Sequence, residues 1–183
     1  MLDIFSEMSI DLIIPHLYVG NIYAARNKNL LQSLHITHIV NAAEEIPNYF
    51  PGDFDYLELK LRDHSYGESL YQAVTRAYPY ITNALKSGGT VLVHCAAGMS
   101  RSVSAVIFYL MRTYFIPYEQ ALALCKSRRP ISQPNRGYER QLREASNAIM
   151  SFVDRRREQR SQLLHRTPTS RSHPYKVPGS TKE

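Results

Sequence analysis

Hydrophobic positions change period several times along the chain, and each change marks an element. The clearest run is Val103, Val106, Ile107, Leu110, Met111 and Tyr114, spaced i, i+3, i+4, i+7, i+8 and i+11. That spacing is one face of an amphipathic helix starting near Arg101. Just upstream, after Ser87, Gly88 and Gly89, residues 90–93 read Thr-Val-Leu-Val, an apolar β-branched run expected to form a strand buried on both faces. Residues 56–61 alternate instead, with Leu57, Leu59 and Leu61 set against Glu58, Lys60 and Arg62, which predicts a strand with one buried face. Residues 37–41 read as a further strand, separated from it by a loop holding Pro47 and Gly52. Two short strands are expected at 12–14 and 17–19 around Pro15, and residues 27–34 as the end of a first helix.

A helix is expected over 69–86, kinked or divided at Pro79, because proline offers no N–H and its ring crowds the preceding turn. Pro117 suits the first turn of the next helix, with Glu119 near its positive end and Arg128 and Arg129 near its negative end, before Pro130 stops it. A last helix is expected from about residue 135 to near 157, burying Tyr138, Leu142, Ala145, Ile149 and Phe152. Strands each followed by helices predict an α/β fold, a central, mostly parallel, twisted sheet flanked by helices. One domain is expected over residues 1–157. Residues 158–183 are polar, basic and proline-bearing without periodicity, and are expected to form a disordered tail.

The chain has 183 residues and a net charge of +6, which raises the question of nucleic acid. The excess is local. Residues 1–153 carry 14 Lys and Arg against 13 Asp and Glu, while residues 154–183 carry 8 against 3. A near-neutral body argues against a folded nucleic-acid surface, so no nucleic-acid partner is expected. No stretch nears the ~20 apolar residues that cross a bilayer, and the acidic N-terminus with Leu2 suits neither a secretory signal nor a myristoyl anchor. Two cysteines, Cys95 and Cys125, suggest a reducing compartment. A cytoplasmic location is expected, extended to the nucleus if Arg155, Arg156 and Arg157 act as an import signal. Composition is silent on oligomeric state.

The chemistry sits between the buried strand and the amphipathic helix, where residues 94–102 read His94, Cys95, Ala96, Ala97, Gly98, Met99, Ser100, Arg101, Ser102. A tight loop running from a strand into a helix N-terminus binds anions through its free N–H groups and the helix dipole. A cysteine opening such a loop is expected to have a pKa well below the ~8.5 of a free thiol. Gly98 lets the backbone turn where a side chain would strain φ or strike the bound anion, and Arg101 offers a planar fork for two phosphate oxygens. Nucleophile, amide cradle and guanidinium together fit phosphoryl transfer through a cysteinyl-phosphate. No cofactor is called for, and His35, His38 and His64 are not arranged as metal ligands. Cys125, on a helix face with Ala121 and Leu122, reads as a packed thiol.

The pattern HCxxGxxR is the signature of the cysteine-dependent protein tyrosine phosphatases, and the chain resembles their small atypical dual-specificity members. The likeness runs over about residues 11 to 150. It takes in Ile14 to Gly20, Ile36 to Ala42, the run Tyr109, Leu110, Met111 after the loop, and the stretch from Arg129 through Pro134, Asn135, Gly137 and Tyr138 to Leu142. The resemblance implies a phosphate cradle of Ala96, Ala97, Gly98, Met99, Ser100 and Arg101 around the nucleophile Cys95. It implies Asp63 as general acid and then base, with Asp53, Asp55 and Glu68 as weaker rivals. Ser102 would help the thiolate leave, His94 would order the loop through hydrogen bonds, and Asn135 would support the site. The variable loop positions carry no lysine for extra inositol phosphates, and the body is too short for a deep phosphotyrosine pocket. Phosphorylated proteins are therefore the implied partners, through both phosphotyrosine and phosphoserine/threonine. A phospho-binding scaffold without turnover and an RNA 5′-phosphatase using the same loop are the alternatives.

Overall fold

The computed structural model describes residues 7–63 and 70–164. Its elements are β1 (Ile10–Ile14), β2 (Leu17–Gly20), α1 (Ile22–Ala25), α2 (Lys28–Ser33), β3 (His38–Ala43), β4 (Asp55–Leu61), α3 (Leu70–Lys86), β5 (Val91–His94), α4 (Arg101–Tyr114), α5 (Tyr118–Arg128) and α6 (Arg136–Leu164). The strands form one sheet in the order β1-β2-β5-β3-β4. Only β1 runs antiparallel, against β2, while β2, β5, β3 and β4 are parallel. The expected α/β architecture is thus present as a mixed five-stranded sheet.

The central position of β5 explains its composition. Val91 and Val93 enter the main core with α3, α4, α5 and α6, while Leu92 enters a second cluster on the opposite face with Ala25, Leu31, Ile39 and Phe54. A strand covered on both faces favours apolar side chains along its length. Helix α4 is the centre of the larger layer, and every residue from Arg101 to Met111 is buried.

Several expectations need correction. Of the two outcomes expected at Pro79, division does not occur: α3 runs through it, with the ring on the exposed face, where it displaces no core side chain. The expected first helix is two short ones, α1 and α2, each capped by an asparagine: Asn21 Oδ1 accepts from Ala24 N–H and Asn27 Oδ1 from Leu30 N–H. Helix α6 runs on to Leu164, so residues 158–164, expected in the tail, are helical; no glycine or proline lies between Gly137 and Pro168 to stop it. Residues 165–183 lie outside the described residues. Tyr114 and Phe152 are half exposed rather than buried. Tyr114 sits where α4 breaks at Phe115 with φ 53°, and at Phe152 α6 has run past the core, residues 154–163 being exposed all round. No helix among the described residues is long and apolar enough to cross a membrane.

Candidate active site

In register, Gly20 of β2, His94 of β5 and Asn41 of β3 stand side by side, so the carboxyl ends of the parallel strands share one edge. Ligands of open α/β sheets bind outside that edge. The chain segments leaving it are Ile22 after β2, Glu45 after β3, Asp63 after β4, and the loop from Cys95 to Ser100 after β5.

The loop is held by its carbonyls. Ala96 O accepts from the Ile22 N–H at 3.0 Å, Ala97 O from Arg129 Nη2 at 3.1 Å, Gly98 O from Arg129 Nε at 2.6 Å and Met99 O from the Gln133 N–H at 2.9 Å. Four consecutive carbonyls are thus bound by donors outside the loop. In a planar trans peptide the N–H points opposite the C=O, so the N–H groups of Ala97, Gly98, Met99 and Ser100 turn the other way, towards the concave side. The Gly98 N–H does so visibly, donating to Cys95 Sγ at 3.3 Å.

Arg129 is 1% exposed, although the sequence places it among helix-end cations. Its charge is answered by Asp11 Oδ2 at 2.5 Å, and Nη1 also donates to Ser9 Oγ at 2.7 Å. Gly98 has φ +66°, as expected, but a Cβ there would strike Arg129 Nη2 and Gly20 O, both at 2.6 Å. The obstruction is the brace behind the loop, not an anion in front of it.

Cys95 is buried at the loop's base, with Ser102 Oγ 3.3 Å from its sulfur. Arg101 opens α4 and is 3% exposed. Its Nη1 donates to Glu45 Oε2 at 2.7 Å and to Leu61 O at 3.2 Å; its Nε has no hydrogen-bond partner among the described residues and lies 3.7 Å from Asp63 Oδ2. Burial works against the Arg101 charge, but the hydrogen bond to Glu45 and the negative neighbours Cys95, Glu45 and Asp63 outweigh it and raise the pKa.

Asp63 reaches this cluster through a bend in β4. Pairing with β3 shifts register between Asn41 and Ala43, opposite Lys60, whose φ is +55°. Such bulges re-aim a strand end. Here the end is then tied to α6: the Tyr138 hydroxyl donates to Arg62 O, and Asn135 Nδ2 donates to Asp63 Oδ1 at 3.2 Å. Asn135 also caps α6 through Tyr138 N–H and gives its own N–H to Ser100 Oγ at 3.1 Å. One residue therefore touches both the loop and the candidate acid.

Asp53 and Asp55 lie at the other end of β4, with Lys28 and with His38 and Tyr80; Glu68 and His64 fall outside the described residues. His94 is buried, its Nδ1 has no hydrogen-bond partner among the described residues, and burial, helped by the Arg101 charge, outweighs a hydrogen bond to the Cys95 backbone and pushes its pKa down to about 4. Its ring is therefore neutral near pH 7 and lies against the Cys95 backbone. Cys125 is fully buried, and burial pushes its thiol up to about 12. Sequence reasoning missed Glu45 and the roles of Arg129 and Tyr138; the acidic pair Glu44-Glu45 just after a strand end was the available signal for the first.

The chain matches the family described as dual specificity phosphatase, catalytic domain, over residues 17–148. It is 38% identical over 133 residues to Dual specificity protein phosphatase 1 of Arabidopsis thaliana, covering 73% of this chain and 67% of that one. It is 42% identical over 130 residues to a Protein phosphatase Slingshot homolog of Xenopus laevis, covering 71% of this chain but only 19% of that protein. Among solved structures, the human tyrosine phosphatase-like serine/threonine/tyrosine-interacting protein aligns with TM-score 0.71 at 32% identity, over 77% of this chain and 97% of that one. The chain belongs to the dual-specificity phosphatase catalytic-domain family, within the cysteine-dependent protein tyrosine phosphatases.

Proposed function

We propose that the protein hydrolyses phosphotyrosine and phosphoserine/threonine on proteins through a cysteinyl-phosphate. The observation that carries this reading is the loop with four outward-held carbonyls, which turns the paired N–H groups to the concave side, that of Gly98 onto the sulfur of Cys95. Ala96, Ala97, Gly98, Met99 and Ser100 would supply the amides for the phosphate oxygens, and Arg101, freed on its Nε edge, would supply the guanidinium.

In the first step the Cys95 thiolate attacks phosphorus, the P–O bond to the substrate breaks, and the Asp63 carboxyl gives its proton to the departing oxygen. In the second, water attacks the phosphocysteine, the Asp63 carboxylate takes a proton from it, and the P–S bond breaks to return the thiolate, which Ser102 stabilises from 3.3 Å. Asn135 and Tyr138 hold the Asp63 segment over the loop. The loop's variable positions lack lysine, which favours phosphoproteins over inositol phosphates, and membership of the dual-specificity phosphatase family favours both kinds of phosphoester. The intact Cys95 speaks against a scaffold without turnover, and the near-neutral body against RNA.

The test is vanadate-sensitive hydrolysis of an aryl phosphate by wild type, Cys95→Ser and Asp63→Ala. Loss in Cys95→Ser, and a fall in turnover with phosphate binding kept in Asp63→Ala, are expected. Equal rates in wild type and Cys95→Ser would overturn the reading. Phosphotyrosyl and phosphothreonyl peptides compared on the same enzyme test the dual specificity.

A further inference from the structure

The cations at the loop are answered by a carboxylate, Arg101 by Glu45, Arg129 by Asp11 and Arg62 by Glu44, and so is Lys28 further along the chain, by Asp53 towards the amino end of β4. Arg26 is not. It closes α1, is exposed, and makes no ion pair among the described residues; its guanidinium instead lies over the Tyr23 ring, 4.4 Å from the centroid. An arginine laid on an aromatic face is partly ordered before any anion arrives, so less freedom is lost when one binds.

Two facts relate this pair to the site. Helix α1 is fixed to the loop by the Ile22 N–H on Ala96 O, and Arg26 stands one turn on, about 6 Å along the axis at 1.5 Å per residue. Ala24 and Ala25 turn inward and are buried, leaving Tyr23 and Arg26, three apart, on the outer face. With Met8, Asn27, Lys28 and Asn29 they line an open cleft of about 520 Å³. Its charged lining residues, Arg26 and Lys28, are both cations, and Lys28 is already paired. In a body of almost balanced charge, an unpaired cation here is a local feature.

We propose that this cleft is a substrate subsite: Arg26, steadied by Tyr23, receives the anionic side chain, carboxylate or phosphate, of a residue flanking the phosphorylated one. The inference rests on the phosphoprotein reading and narrows it to substrates with an acidic or second phosphorylated residue.

The test uses the full chain and phosphotyrosyl peptides identical except for Ala, Glu or phosphoserine at each position up to four residues on either side. Within each enzyme the readout is the ratio of kcat/KM for the anionic peptide to that for its Ala counterpart. Wild type should favour an anion on one side by about fivefold at low salt, through KM, as expected for one partly exposed charge contact. Arg26→Ala should bring the ratio to one, and Arg26→Lys should restore part of it. A preference for phosphoserine alone assigns the subsite to a second phosphate; equal preference for Glu assigns it to carboxylates as well. Arg136, exposed beside Asn135 and without an ion pair among the described residues, is the control: a ratio lost in Arg136→Ala but kept in Arg26→Ala overturns the proposal, as does a wild type with no preference. Aryl phosphate turnover by wild type reports the parent reading separately, so an active enzyme without anion preference refutes the subsite alone.

Discussion

Burial of a neutral histidine at the end of β5 makes the fold sensitive to acid. His94 is 1% exposed, and burial, with the Arg101 charge in addition, pushes it from 6.5 down to about 4. A depressed histidine pKa means that the unfolded chain binds this proton first. Stability is therefore whole above about pH 6.5 and is lost as pH falls through the window down to about 4. At 1.36 kcal/mol per pH unit the full gap corresponds to about 3 kcal/mol, of which about 2.5 kcal/mol is already lost at pH 4.5. The perturbation is His94→Asn, which cannot gain a proton, with His94→Gln as a second variant if the first folds poorly. The assay is urea unfolding at pH 7.5, 6.5, 5.5 and 4.5 followed by far-UV circular dichroism, since the chain has no tryptophan. The other histidines and the carboxylates titrate alike in both proteins and cancel, Glu44 included, whose pKa is lowered by its hydrogen bond from Arg62. The stability difference between wild type and variant should shrink by about 2.5 kcal/mol from pH 7.5 to 4.5. A difference flat across that range would refute the reasoning.

Gly98→Ala should lower stability by about 1–3 kcal/mol and weaken vanadate binding, because φ +66° strains the new residue and its Cβ meets Arg129 and Gly20 O; unchanged urea midpoint and vanadate inhibition would contradict this. Pro79→Ala should raise stability by about 1–3 kcal/mol, read as a higher urea midpoint, since α3 already runs through the proline; an unchanged or lower midpoint would show that the proline helps. Glu45→Ala should cut aryl-phosphate kcat/KM about tenfold by releasing Arg101 Nη1, and Glu45→Gln, which keeps an acceptor, should cut it less. Wild-type rates in Glu45→Ala would mean that Leu61 O and the helix hold Arg101 unaided.

Local features were legible in the sequence. The strand, loop and helix around Cys95 form one contiguous stretch, and the period of Val103, Val106, Ile107, Leu110 and Met111 marks α4 because buried spacing is a property of neighbouring residues. Its end was less legible: Tyr114 fits the period but stands where the core stops. The length of α6 was misjudged for a related reason. Arg155, Arg156 and Arg157 look like a helix end, yet charge permits a helix to continue, and no glycine or proline follows until Pro168. Pro79 shows the converse, a strong breaker accommodated because it faces water.

What the sequence hid is long-range. Glu45 is 56 residues from Arg101, Arg129 is 31 from Gly98, and Tyr138 is 76 from Arg62. Residue type alone assigns these to a surface acid, a helix-end cation and a core aromatic. An anion-binding loop, however, needs its carbonyls occupied elsewhere, or its peptides can turn and present oxygen to the anion. Here three separate segments do that work: the start of α1 through Ile22, the end of α5 through Arg129, and the approach to α6 through Gln133. Burying the Arg129 charge for this purpose requires Asp11 on the edge strand β1. The antiparallel strand that breaks the otherwise parallel sheet thus contributes to the site without approaching the substrate. The nine-residue motif supplies the loop, and the rest of the fold determines which way its peptides face.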